Sequence, residues 1–415
     1  MTKNKEENFN FWAFPSGIRL VHCPTLSHIA YTGIMVGAGS RDEEPAENGM
    51  AHFIEHALFK GTTSRSAKQI INHIENVGGE INAYTTKEET AFYAATLPEH
   101  IGRTMQLLAD MVFHPAFPKD ELLKERQVIY DEIESYNDSP AELIYDDFEN
   151  ILFEGHPLGH NILGNAERVR KFTTEDALRF ARKYYTPENS IFFAYGDVEF
   201  EKLVRLLEKE ERGEKGEERG ERKEEREMLS GSASSFVIRE KGTHQAHVML
   251  GTRGYDILHP LRIPLYLLNN LLGGPGMNAR LNISLRERNG LVYTVESTMV
   301  SYGDTGLWGV YFGCDPHDVK CCLRLVRREL DKIIEKPLTD SQLKAAKRQL
   351  KGQIGIACDN REQFALDFGK SFLHYGWEKD ITSLYSQIEE VTAEQIQQVA
   401  RELMSEDRIT TLIYK

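Results

Sequence analysis

From Glu208 to Glu227 every residue is Glu, Lys, Arg or Gly, and the run continues into Ser230-Gly-Ser-Ala-Ser-Ser235. A segment without apolar side chains buries nothing to offset the entropy of ordering it, so it reads as a linker or as a solvated helix extension. The 415 residues therefore divide into a first domain, 1–207, a linker, 208–235, and a second domain, 236–415. Each domain is long enough for its own core. With 40% hydrophobic residues there is apolar material for two cores, yet no apolar run long enough to span a bilayer.

The first domain contains His52-Phe53-Ile54-Glu55-His56, set in Gly49-Met-Ala-His-Phe-Ile-Glu-His-Ala-Leu-Phe-Lys-Gly61. Asn48 and Gly49 offer an N-cap, Met50, Phe53, Ala57 and Leu58 an apolar stripe, and Lys60-Gly61 a cationic last turn and a stop, so a helix is expected. Residues four apart share a helix face, which lets both imidazoles grip one metal ion while Glu55 projects beside them. The order inverts the commoner His-Glu-x-x-His. Imidazoles among apolar neighbours cost free energy unless they are satisfied, which leaves ligation or hydrogen bonding. A catalytic zinc needs a third protein ligand and keeps one position open.

A second helix is expected over Lys119 to Ser135, following Pro115 and Pro118, with an acidic first turn and Leu122, Ile129, Ile133 and Tyr136 on one stripe. Glu125 and Glu132 are two turns apart and share a face. At about 100° per residue both fall between the Leu122/Ile129 line and Val128, bordering the buried side, whereas Asp131 and Glu134 point outward.

The order His52-x-x-Glu55-His56, followed downstream by Glu125-x6-Glu132, resembles the family of pitrilysin, insulin-degrading enzyme and mitochondrial processing peptidase. The resemblance implies one zinc ion per chain, with His52, His56 and Glu132 as ligands, Glu55 as general base and Glu125 as a carboxylate supporting the site. Gly78-Gly-Glu-Ile-Asn-Ala-Tyr-Thr85, followed by Thr90-Ala-Phe-Tyr-Ala94, resembles the family's cleft strand. There Asn82 and Ala83 would present backbone to an extended peptide, a mode that reads main chain more than side chains. Leu272-Gly-Gly-Pro-Gly-Met-Asn-Ala-Arg-Leu281 and Leu285-Arg-Glu-Arg-Asn-Gly-Leu-Val-Tyr293 resemble its glycine-rich stretch and Arg-x6-Tyr element, with Pro275 interrupting the glycines. Arg286 and Tyr293 would then bind the peptide or the developing oxyanion, as a charged fork and a phenol can.

With that resemblance behind it, a repeat becomes visible. Ile29–Gly37, an apolar run before a helix, has a counterpart in Gln245–Gly251 before a helix at Pro264 to Leu272, which sets Tyr266, Asn269 and Asn270 against His52, Glu55 and His56. The second copy thus lacks the metal site. The fold class expected is α+β: two homologous domains, each a mainly antiparallel sheet with helices packed on one face, together a bowl-shaped half of a clam-shell peptidase. The function implied is a zinc-dependent metalloendopeptidase acting on extended peptides or unfolded segments inside a chamber. The alternative is a non-catalytic structural or regulatory subunit of the same family. Members of this length pair up, so the resemblance implies a homodimer in which the partner's second domain completes the site.

The net charge of −14 argues against nucleic acid; it suits basic peptides, and it is equally the acidic balance of an ordinary cytosolic protein. Cys23, Cys314, Cys321, Cys322 and Cys358 are odd in number and lack metal-type spacing, as in reduced thiols. Met1 to Asn10 has no apolar secretory core, so a cytoplasmic location without membrane attachment is expected. His156-Pro-Leu-Gly-His160 repeats the four-residue spacing, but its proline and glycine make it a structured loop. His244 and His247 are expected to flank or enter a strand.

Overall fold

A computed structural model describes residues 9–211, 234–376 and 381–415, so most of the expected linker, 212–233, lies outside the described residues. The chain forms two compact units. In the first, β1 (Asn10–Ala13), β2 (Arg19–Pro24), β3 (Ala30–Val36), β4 (Glu80–Thr85), β5 (Thr90–Thr96) and β6 (Ser190–Gly196) make one sheet in the order β1-β2-β6-β3-β5-β4. Only the β2/β6 pair is parallel. The side-chain alternation of a strand explains what each face does. Leu20, Ile34, Phe92 and Phe192 enter the main core with α1 (Met50–Leu58), α2 (Ala67–Glu75), α3 (Ile101–Phe113) and the Leu122, Ile129 and Ile133 stripe of α4 (Lys119–Asn137).

The intervening residues Val21, Met35, Ala91, Ile191 and Phe193 are apolar as well, because the other face is also covered, by the helix Arg361–Tyr375 through Ala365, Leu366, Phe368 and Phe372. Close approach there depends on small residues: a Cβ on Gly33 would stand 2.3 Å from the Phe193 ring, and one on Gly369 2.7 Å from it.

The second unit has β7 (Phe236–Arg239), β8 (Ala246–Gly254), β9 (Val292–Ser301), β10 (Gly306–Cys314) and β11 (Thr410–Tyr414) in the order β7-β11-β8-β10-β9. Only β7/β11 is parallel. This reproduces β2-β6-β3-β5-β4 strand for strand, in the same directions. The helix Pro140–Leu152 packs Leu143, Ile144 and Phe148 against Met249, Leu307 and Leu412. The helices Arg262–Gly273 and Ala393–Leu403 also pack on this sheet.

Each unit holds one helix from the other half of the sequence: Pro140–Leu152 belongs to the second, Arg361–Tyr375 to the first. Boundaries drawn at 207 and 236 describe the bulk of each unit but not these two segments. Among the described residues no helix is long and apolar enough to cross a membrane.

Glu89, in the turn between β4 and β5, is 1% exposed and is bound by Lys370 Nζ at 2.6 Å and His374 Nε2 at 2.8 Å. Burial pushes its carboxyl pKa up, but the His374 and Lys370 contacts outweigh this and hold it at about 2. A depressed carboxyl stabilises the fold above its unfolded pKa, near 4.5, and that contribution fades as pH falls toward 2. Glu89→Gln is expected to cost on the order of 2–3 kcal/mol at neutral pH and to flatten the loss of stability between pH 4.5 and 2, read by urea unfolding across that range.

Candidate metal centre

The helix α1 opens at Gly49, in the left-handed conformation at φ 97°, and Gly49 has no side chain with which to cap it. Asn48 does not supply the cap either. The buried carboxylate of Glu43 does: Oε2 accepts from Gly49 N at 2.9 Å and Oε1 from Ala51 N at 2.8 Å. Two of the first-turn amides that no helix can pair internally are thereby satisfied. Burial pushes the Glu43 pKa up despite the bonds from His160, Ala51 and Gly49. Nothing in the sequence separates Glu43 from the acids around it: Asp42 caps Gly39 N and Glu47 bonds Glu44 N.

One turn further on, His52 is 6% exposed and its ring centroid lies 4.6 Å from that of His56. Both present Nε2 to Glu132 of α4, His52 at 3.8 Å from Oε1 and His56 at 3.5 Å from Oε2. The three donor atoms lie within 4.8 Å of one another. These separations are too long for hydrogen bonds, whereas two ligands each about 2.0–2.1 Å from one tetrahedral ion stand about 3.4 Å apart. His52 Nδ1 is buried without a partner, so hydrogen bonding does not account for that imidazole. Burial above all, with the neighbouring His56, holds the His52 pKa at about 3, which keeps the ring neutral as a metal ligand must be. The donor set therefore fits zinc.

Glu125 and Glu132 share a face of α4 but sit at different depths. Glu125 is 4% exposed, while the Glu132 side chain is 43% exposed and Val128, beyond it around the helix, 50%. The face turns outward toward the helix's later turns. His56 Nδ1 donates to Glu125 Oε1 at 2.8 Å, and Lys60 Nζ holds the other oxygen at 2.7 Å. An ionised carboxylate only accepts, so the His56 proton is on Nδ1 and Nε2 is left for the ion. Burial raises the Glu125 pKa, but His56 and Lys60 prevail and lower it. Burial acts to lower the His56 pKa, and the Glu125 bond with the Glu132 and Glu55 charges more than offsets it, so that pKa is raised.

Glu55 stands beside the pair, and Thr85 of β4 donates to its Oε2 at 2.6 Å. Burial first, then the charge of Glu132, raises its pKa against the pull of Thr85 and His56. Thr85 and Lys60 are contacts that spacing did not reveal. Thr85 is the end of the strand singled out for Asn82 and Ala83, and the alternation Ile81, Ala83, Thr85 faces α1. Ile81 and Ala83 pack on the main core, while Asn82 is exposed. β4 is the last strand of its sheet, so one edge has free backbone groups.

Arg286 and Tyr293 lie in the second unit. The guanidinium carbon is 5.7 Å from the Tyr293 ring centroid, and Tyr293 is 81% exposed. Arg286 lies in the last turn of a short π-helix, Asn282–Glu287, after the glycine-rich stretch, and Tyr293 is in β9, an edge strand of its own sheet. Asn269 and Asn270, which the sequence lines up with Glu55 and His56, are buried in this unit. Asn269 Nδ2 donates to Ser297 O at 3.1 Å, and Ser297 Oγ accepts from Trp308 Nε1 at 3.0 Å. Among the described residues, His52, His56 and Glu132 are the one cluster able to hold an ion.

The same two-unit fold is found in a protease from Helicobacter pylori, with a TM-score of 0.91 at 22% identity over 98% of this chain and 99% of that one. A Pseudomonas fluorescens structure titled as a peptidase M16 inactive domain has a TM-score of 0.89 at 20% identity over 98% of both. Residues 22–166 match insulinase (peptidase family M16), and residues 171–350 match the peptidase M16 inactive domain. The chain belongs to peptidase family M16. A Bacillus subtilis protein named as an uncharacterized zinc protease is 33% identical over 405 residues, 96% of each chain. One so named in Streptomyces coelicolor is 35% identical over 400 residues, 94% of this chain and 86% of its own.

Outer carboxylates on metal-bound imidazoles typically contribute 10–100-fold in metal affinity or activity. Glu125→Gln is therefore expected to weaken zinc binding by at least about tenfold in a chelator competition. Thr85→Val is expected to leave zinc affinity within about twofold while lowering kcat for peptide hydrolysis about tenfold or more, because Thr85 bonds Glu55, for which the family resemblance implies the role of general base, rather than any of the three clustered donor residues.

Proposed function

We propose that this chain is a zinc metalloendopeptidase that cleaves extended peptides or unfolded segments. The observation that carries the reading is the meeting of His52, His56 and Glu132 with Glu55, whose orientation is set by Thr85 at the end of an edge strand. His52, His56 and Glu132 hold one ion per chain, and zinc bound there supplies positive charge that polarises a carbonyl and makes water more acidic. The substrate backbone pairs with the free edge of β4 at Asn82 and Ala83, placing the scissile bond along α1. Glu55, with Oε2 occupied by the Thr85 hydroxyl, takes the water's proton on Oε1 and returns it to the leaving amine as water's oxygen joins the carbonyl carbon and the C–N bond breaks. Glu125 keeps the proton of His56 on Nδ1.

On the family resemblance, Arg286 and Tyr293 bind the peptide or donate to its carbonyl oxygen as charge develops. With a net charge of −14, basic peptides are the favoured substrates. Two copies assemble as a homodimer, each second domain completing the partner's site; a monomeric mass by light scattering at full activity refutes that arrangement. A cytoplasmic location accords with cysteines that form no disulfide. The rival role, a non-catalytic subunit, is disfavoured because His52, Glu55, His56 and Glu132 are all present and assembled.

Glu55→Gln is expected to retain one zinc per chain, counted by atomic absorption, and to lower turnover of a quenched basic peptide by about 10²–10⁴-fold. Undiminished turnover would remove Glu55 from its role. Wild-type cleavage that survives full chelation would remove the metal from the reaction.

A further inference from the structure

We propose that Glu43 is a positioning residue for the metal centre, and that His160 acts through it; this rests on His52 and His56 being metal ligands. The Glu43 side chain is wholly buried, and its two oxygens hold Gly49 N and Ala51 N, the latter next to His52. His160 Nε2 stands 3.2 Å from Glu43 Oε2 and 2.8 Å from Ser40 O, fastening the carboxylate to its own loop. The same loop is tied to the β4–β5 turn, since Ser40 N donates to Thr86 O at 3.1 Å and Arg41 N to Lys87 O at 2.9 Å. Arg41 also pairs with Glu88 at 2.6 Å, and Lys87 Nζ bonds His160 O.

One short segment thus grips both the start of the helix that carries His52, Glu55 and His56 and the end of the strand that carries Thr85. The helix start has no slack: a Cβ on Gly164, at φ 75°, would lie 2.3 Å from Gly49 Cα. Glu132, on α4, is not bonded to this loop. Loss of the Glu43 carboxylate therefore lets the paired imidazoles shift relative to Glu132, and Glu55 relative to Thr85.

The test is the zinc dissociation constant of the full chain, measured against a competing chelator at a temperature where each variant is shown to be folded by circular dichroism. Glu43→Gln keeps the shape but turns an amide N–H toward one of the two backbone donors. It is expected to weaken zinc by about 10–100-fold, the range typical of residues that orient ligands. His160→Ala, at the half-buried outer side of the carboxylate, is expected to weaken it in the same direction by about threefold or more. Glu89→Gln serves as the control for mere destabilisation and is expected to stay within about twofold of the wild type.

Folded Glu43→Gln and His160→Ala proteins that both bind zinc within about twofold of the wild type overturn the proposal. If Glu43→Gln does not fold, an unchanged constant in His160→Ala overturns it alone. A wild-type chain that binds zinc but cleaves no peptide refutes the peptidase reading and leaves this measurement valid. A wild-type chain that binds no zinc overturns both.

Discussion

Placing two imidazoles on adjacent turns of a buried helix creates four ring nitrogens, and the first unit is organised so that all but His52 Nδ1 face a carboxylate. His56 Nδ1 is answered by Glu125, whose pKa burial raises but the bonds from His56 and from Lys60 on its other oxygen lower. The two Nε2 atoms converge on Glu132 at separations that suit a shared ion rather than hydrogen bonds. α4 must therefore lie across α1 at a set depth, with Glu125 inside and Glu132 at the rim. α1 in turn is fixed at its start by Glu43 and, through Glu55, at its side by the strand β4.

The second unit is a natural comparison, since it repeats the same strand order and directions without those imidazoles. Where the first helix carries Glu55 and His56, the second carries Asn269 and Asn270, and the amide of Asn269 closes a network with Ser297 and Trp308. A neutral amide both donates and accepts, so it is satisfied by protein alone and needs no ion. The fold is thus indifferent to whether the pocket holds a metal, and the chemistry resides in a few side chains on it.

Periodicity made much of this legible. The helix spanning His52 to His56, the helix spanning Glu125 to Glu132, the strands around Asn82 and before Pro264, and the looped His156 to His160 all follow from local pattern, because helix and strand repeat at different periods. Long-range partners did not. Lys60 bonds Glu125 across 65 residues and Thr85 bonds Glu55 across 30, while Glu43 reaches Gly49 and Ala51 across only 6 and 8, and each looks in sequence like an ordinary surface residue. The exchange of Pro140–Leu152 and Arg361–Tyr375 between units is equally silent, since an amphipathic helix states that it has an apolar face but not which sheet that face will cover.

The two α+β domains, the second without the metal site, were what the family resemblance implied, whereas the sequence by itself determined that the chain divides at its charged run and that its first half carries a His-x-x-Glu-His helix with a paired-glutamate helix downstream. Residue type and spacing suffice for that, because ligands on one helix face are set by the geometry of the helix alone. Only the tertiary structure decided that His56 is oriented by Glu125, that Glu55 is aimed by Thr85, and that Glu43 holds the helix between them. Those relations depend on where separate elements come to rest, and that is set by the burial of apolar faces on both sides of a sheet rather than by any local pattern.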